Sequence, residues 1–170
     1  MTKNKEKLIV RIALLVLVCI VIFWFSSNNG ESSTSQSDRI VDILIETFFP
    51  SYDKYSYESQ LAIHDMFAVA VRKGAHFSIY AIMGAVGFAA FFKIKKYSLR
   101  YLCAVAFTFL YACTDEFHQT FVSERTGKIS DIFIDTFGGM LGAFLIMLFI
   151  VFLGAAKLVQ KEKQNNHSDT

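Results

Sequence analysis

The sequence predicts an all-α fold: a polytopic membrane four-helix bundle with an amphipathic helix lying at its outer interface. Three observations predict it. Apolar residues make up 54% of 170, and they fall in long unbroken runs rather than in short periodic stripes. The chain holds 18 Phe and a single Pro, so little interrupts helices. Basic residues alternate in density between the segments that join the runs, which orients the bundle. The net charge of +2 says little by itself. Cys19, Cys103 and Cys113 lie inside apolar runs, so they are expected as small core residues and not as a disulfide framework.

The first unit is residues 1–25, a cytoplasmic N-terminus and first span. Positions 8–25 are apolar except for Arg11. Lys3, Lys5 and Lys7 resemble the n-region of a signal peptide. The following Ser26-Ser27-Asn28-Asn29 lacks a small-residue cleavage pattern, and Val18 before Cys19 is unsuited to lipoprotein cleavage. An uncleaved anchor is expected. Residues 26–71 form the extracytoplasmic segment. Its Ser/Asn-rich start, 26–37, reads as a flexible linker. Beyond it Ile40, Ile43, Leu44 and Phe48 recur at helical spacing, with Asp38, Asp42 and Glu46 on the other face. This is the interfacial helix, ending near Pro50. Tyr52, Tyr55 and Tyr57 suit the headgroup level. His64 and Asp65 read as a solvated face, and 61–71 leads into the next span as helix.

The core, 72–153, holds spans at 74–92, 101–121 and 132–153, and 154–170 is a cytoplasmic tail. At ~1.5 Å per residue each span can cross a ~30 Å hydrocarbon layer. The third does so only by including Asp115, Glu116, His118 and Gln119; its purely apolar part, 101–114, reaches only about 21 Å. Gly138, Gly139, Gly142 and Ala143 have the small-residue spacing of close helix packing. With both termini on one side, that side carries eleven of the 17 basic residues and three of the 15 acids. By the positive-inside rule both termini are cytoplasmic.

Polar residues then gather at the opposite end. Counted from the cytoplasmic ends of the spans, His76 lies about 24 Å up, Tyr80 about 18 Å, Asp115 about 21 Å and Asp135 about 27 Å. Arg72, His76 and Tyr80 share one helix face, as do Asp115 with Gln119 and Asp131 with Asp135. A carboxylate facing lipid costs roughly 2.5–3.5 kcal/mol, so these faces are expected to meet in a polar pocket in the outer leaflet. Arg72, Lys73, His76, His118 and Arg125 are the available cations and donors. Ser130 could cap the last span, with Asp131 a first-turn acid; neither role explains Asp135 one turn deeper.

Three blocks carry a family resemblance. The stretch Arg72-Lys73-Gly74-Ala75-His76-Phe77-Ser78-Ile79-Tyr80, then Asp115-Glu116-Phe117-His118-Gln119, then Arg125, Ser130, Asp131, Asp135, Thr136 and Gly138 resemble the signatures of VanZ-like membrane proteins. The resemblance starts at Ile22-Phe23-Trp24-Phe25-Ser26-Ser27 and continues to about Leu153. Ile79 stands where the family often has an acid, and Ser123-Glu124 where it often has a Pro-Gly-type turn. The first departure weakens any scheme needing that carboxylate. The resemblance implies a small multi-pass protein of the bacterial cell membrane and a link to resistance against the glycopeptide teicoplanin, without fixing a reaction.

Three functions remain open. In the first, Arg72, Lys73, Tyr80, Gln119, Arg125, Asp131 and Asp135 bind an anionic or polyprenyl-linked envelope lipid, the acids orienting the cations. In the second, the chain is an intramembrane hydrolase or transferase on a lipid-linked substrate. His76 or His118 would be its acid or base and Asp115 or Glu116 the orienting group. In the third, the cluster is a structural ion network. A variant of the second reading uses a metal, with His76, His118, Asp115, Glu116 and Asp131 as plausible ligand types. His118 lies three residues from Asp115 and has no HExxH companion, so the cofactor and metal expectation is none. Membrane lipids are the expected partners, and no nucleic acid.

Overall fold

The structure is a computed structural model that describes residues 3–27, 30–123 and 127–168, with only the backbone for 3, 30–37 and 166–168. Among these residues all regular structure is helical: α1 Lys3–Ser27, α2 Gly30–Phe48, a 3-10 turn Tyr52–Lys54, α3 Tyr57–Ala90, α4 Tyr97–Gln119 and α5 Ile129–Ser168. The all-α class is therefore as expected. Two of the helices, over Asn4–Ser27 and Ile129–Asn165, are long and apolar enough to cross a membrane. The second half of α3 mixes small, weakly hydrophobic Gly and Ala with His76 and Tyr80, and α4 ends in its charged block.

The linker expected at 26–37 is corrected. α1 continues through Ser27 and α2 begins at Gly30. Once the later turns of α2 are packed, adding residues to an existing helix costs far less than starting one. The amphipathic α2 uses two stripes. Val41 and Ile45, one turn apart, are buried, while Ile40, Ile43 and Phe48 face outward. Burial is worth roughly 1.5–3 kcal/mol for each such side chain. His64, on a partly solvated face with exposed Asp65, places its Nε2 3.9 Å from Asp38 Oδ1 of α2. Phe49 meets Phe67 edge to face, which adds a second clasp between α2 and α3.

Ser56 caps α3, its Oγ accepting from the Ser59 amide. α3 is the hub of the packing, touching α1, α2, α4 and α5. Its contact with α5 is backbone against backbone. A Cβ at Gly84 would strike the Gly139 carbonyl, one at Gly138 the Phe77 carbonyl, and one at Gly142 the Ala81 carbonyl. On α5, Gly139 also faces Thr108 of α4. Small side chains thus let the helices approach as the 138–143 spacing predicts. At the other end of α3, unpaired terminal carbonyls meet two arginines. Arg11 Nη1 donates to Ala89 O at 2.9 Å and sits over the Phe92 ring. The Arg100 guanidinium donates to Phe88 O and stacks on the Phe88 ring. Arg11 breaks an apolar run because it caps a neighbouring helix.

Candidate functional site

Four helices deliver polar side chains to one buried spot. His76 and Tyr80 are a turn apart on α3, Asp115 and Gln119 a turn apart on α4, Asp135 is on α5, and Ser26 ends α1. Tyr80 and Asp135 are fully buried, and Ser26, Asp115 and Gln119 nearly so. Ser26 Oγ donates to Asp115 Oδ2 at 2.9 Å, and Gln119 Nε2 donates to the same oxygen at 3.2 Å. His76 Nδ1 lies 3.7 Å from Asp135 Oδ1. One ligand-type atom each from His76, Asp115 and Asp135 falls within 4.8 Å of the others. The buried Tyr80 hydroxyl lies close enough to Asp115 and Asp135 to feel both charges. Neither that hydroxyl nor either Asp135 oxygen makes a hydrogen bond of normal geometry among the described residues.

The other expected site residues occupy the rim or look elsewhere. Lys73 Nζ donates to Asp131 Oδ1 at 2.8 Å, and Ser130 Oγ approaches the same oxygen at 3.2 Å. Burial opposes ionisation of Asp131, but the hydrogen bond and charge of Lys73 outweigh it and hold the carboxyl below the usual aspartate range. Glu116 is buried beside the cluster, where its Oε2 accepts the Lys128 amide at 2.8 Å and fastens the turn before α5. His118 turns away from the centre. Its Nε2 is 3.2 Å from Ser27 Oγ and its ring stacks on Phe23, with centroids 4.6 Å apart. Three residues after Asp115, it sits about 60° round α4 from that residue and meets α1 one residue on, at Ser27 where Asp115 takes Ser26. Arg72 is exposed. Arg125 lies outside the described residues.

Ser26 and Ser27 are the site residues that sequence reasoning missed, because they stood at the start of an expected linker. A signal was present. Leu15, Ile22 and Ser26 follow a seven-then-four spacing along α1, and all three are buried. A serine on that stripe has to find a buried partner.

Close to the cluster, α1 and α4 leave an apolar groove of ≈350 Å³ lined by Ile12, Leu15, Cys19, Phe23, Phe107 and Tyr111, among others. Phe23 joins the two features, since it lines the groove and stacks on His118. The combination is chemically specific: two carboxylates, an imidazole and a phenol beside a channel suited to hydrocarbon.

Long apolar helices around a sunken polar cluster define a helical membrane protein. The family model described as VanZ/LLP1 matches residues 11–151, and the chain belongs to that family. No curated protein and no solved structure matched the chain.

Proposed function

We propose that this protein is a four-span membrane protein that holds an anionic envelope lipid or lipid-linked precursor in the outer leaflet. α1, residues 74–92 of α3, 101–121 of α4 and 132–153 of α5 cross the bilayer with both termini cytoplasmic. Support for the crossing is the outward apolar surface. Leu14, Leu17 and Ile20 on α1, Leu102 and Leu110 on α4, and Leu145, Phe149 and Phe152 on α5 are all exposed, a surface that only lipid or another apolar partner covers at low cost.

The observation that carries the reading is the convergence of Ser26, His76, Asp115 and Asp135 from four helices onto one buried spot, beside a groove lined by hydrocarbon. A headgroup sits at the rim, where Lys73, Arg72 and the N-terminus of α5 supply positive charge. One acyl or prenyl chain lies in the groove between α1 and α4. Teicoplanin acts at the envelope surface and carries its own acyl chain, so occupancy or turnover of such a lipid is a direct route to altered sensitivity.

The test compares wild type with His76→Ala, Asp115→Asn and Glu116→Gln, purified with native lipids and assayed in cells for teicoplanin sensitivity. Normal folding with loss of a co-purifying lipid in the first two supports the reading. Retention of that lipid, with an unprocessed precursor accumulating in cells, replaces it with catalysis. Loss of folding in all three replaces it with a structural network.

A further inference from the structure

The centre of the cluster is acidic, although the rim is basic. Among the described residues, Asp115 and Asp135 have no ion pair with a lysine or arginine, and Lys73 is engaged by Asp131. Two carboxylates this close in a buried site repel each other unless a cation lies between them. We propose that His76, Asp115 and Asp135 form a binding site for one divalent transition-metal ion of the Zn²⁺ or Mn²⁺ kind.

The geometry of the donors fits such an ion. With bonds of ~2.1 Å in a tetrahedral set, ligand atoms stand about 3.4 Å apart. His76 Nδ1 and Asp135 Oδ1 are already at 3.7 Å and all three donors lie within 4.8 Å, so side-chain adjustments of about 1 Å bring them to an ion. The charge fits as well: two carboxylates and a neutral imidazole balance a divalent cation, leaving a neutral site in a low-dielectric setting. The surroundings are those of a metal site. Ser26 and Gln119 both hold Oδ2 of Asp115, which orients the carboxylate and leaves Oδ1 for coordination.

Two further side chains point to the same ligand independently of the acids' proximity. Both oxygens of Asp135, a fully buried residue, lack a hydrogen bond among the described residues, and so does the fully buried phenol of Tyr80, one turn from His76 on α3. Such groups are costly to bury unsatisfied. A metal, with a bound water donating to or accepting from Tyr80, satisfies all three atoms at once. The mixed imidazole and carboxylate set selects against copper(I), which prefers sulfur, and against calcium, which takes six to eight oxygens. Three protein ligands leave open positions, where a phosphate oxygen of a lipid headgroup could coordinate. The ion itself is expected with or without that lipid.

The experiment uses the full chain in detergent, delipidated and stripped with EDTA, so that its outcome is separate from lipid retention. Mn²⁺ is titrated and followed by loss of the free-ion paramagnetic resonance signal, with Zn²⁺ as competitor. One Mn²⁺ per chain, displaced by one Zn²⁺, is expected. Affinity should fall at least ~10-fold in Asp135→Asn and in His76→Gln, since loss of even an outer-shell partner costs that much. Asp65→Asn, an exposed acid elsewhere, should bind like wild type. Pulsed resonance on the wild-type complex should show coupling to an imidazole nitrogen, a readout that needs no variant. Absence of stoichiometric binding, absence of nitrogen coupling, or unchanged affinity in folded Asp135→Asn overturns the proposal.

Discussion

Replacing Ser26 by Ala isolates the contact that joins the first helix to the cluster. The hydroxyl is nearly inaccessible and donates to Asp115 Oδ2 at 2.9 Å; the remaining donor to that oxygen, Gln119, is longer at 3.2 Å. Removal costs the hydrogen bond to a buried carboxylate, about 1.5–3 kcal/mol, and the missing oxygen adds only a small void. For a chain of this size that is a fall in Tm of roughly 3–12 °C, measured by thermal unfolding in one fixed detergent. A double-mutant cycle with Asp115→Asn separates the contact from general packing. If Ser26 acts through Asp115, the coupling energy reaches at least about 0.5 kcal/mol. Additive effects, within about 0.3 kcal/mol, refute the link between α1 and the cluster, and with it the view that the first span is part of the site.

Other expectations follow from single features. Gly142→Ala places a methyl against the Ala81 carbonyl, which cannot rotate aside, and should cost about 1–3 kcal/mol; Gly154→Ala, where nothing lies within 4 Å, should be neutral or slightly stabilising in the same thermal assay. The Lys73–Asp131 pair is partly exposed at 38% and 28%, so solvent screening limits its worth to below about 1 kcal/mol. Because the folded carboxyl titrates low, that contribution is complete above an ordinary aspartate value of about 4 and is lost as pH falls through the depressed folded value. Lys73→Ala should therefore lower stability at neutrality by the pair's worth, below about 1 kcal/mol, and the difference from wild type should vanish as pH falls below ~4. In a cysteine-free background, an impermeant thiol reagent should reach Ser123→Cys in intact cells and Lys96→Cys only after permeabilisation; the reverse pattern refutes the orientation.

Much of the fold was legible because membrane-compatible helices advertise themselves by unbroken apolarity, and α1 and α5 do so plainly. The start of α2 was not, since Ser and Gln read as linker when viewed locally, while their helix is propagated from the packed Val41–Ile45 turns. Helical periodicity found an amphipathic element there, and its stripe of Ile40, Ile43 and Phe48 faces outward, while the equally apolar Val41 and Ile45 pack inward. Only the position of α3 decides between them. In the cluster, i, i+4 spacing joined His76 to Tyr80 and Asp115 to Gln119 correctly. Residues adjacent in sequence were harder. Glu116 and His118 flank the centre by number, yet a helix turns about 100° per residue and sends one to the Lys128 amide and the other to Phe23 and Ser27. His76, Asp115 and Asp135 are separated by 39 and 20 positions and sit on different helices, so no local spacing announces that they meet.

The glycine contact between α3 and α5 has a consequence for how the cluster can behave. Backbone touching backbone leaves no compliant side chains to absorb sliding or rotation, so those two helices meet in a single alignment. His76 and Asp135 lie about one turn from that contact, on either partner, and inherit its rigidity. Whatever enters between them encounters a ready-made cradle whose dimensions were fixed during folding. Discrimination among guests would then rest on size and charge, and adjustment would fall to Asp115 on α4 and to the loop that feeds α5.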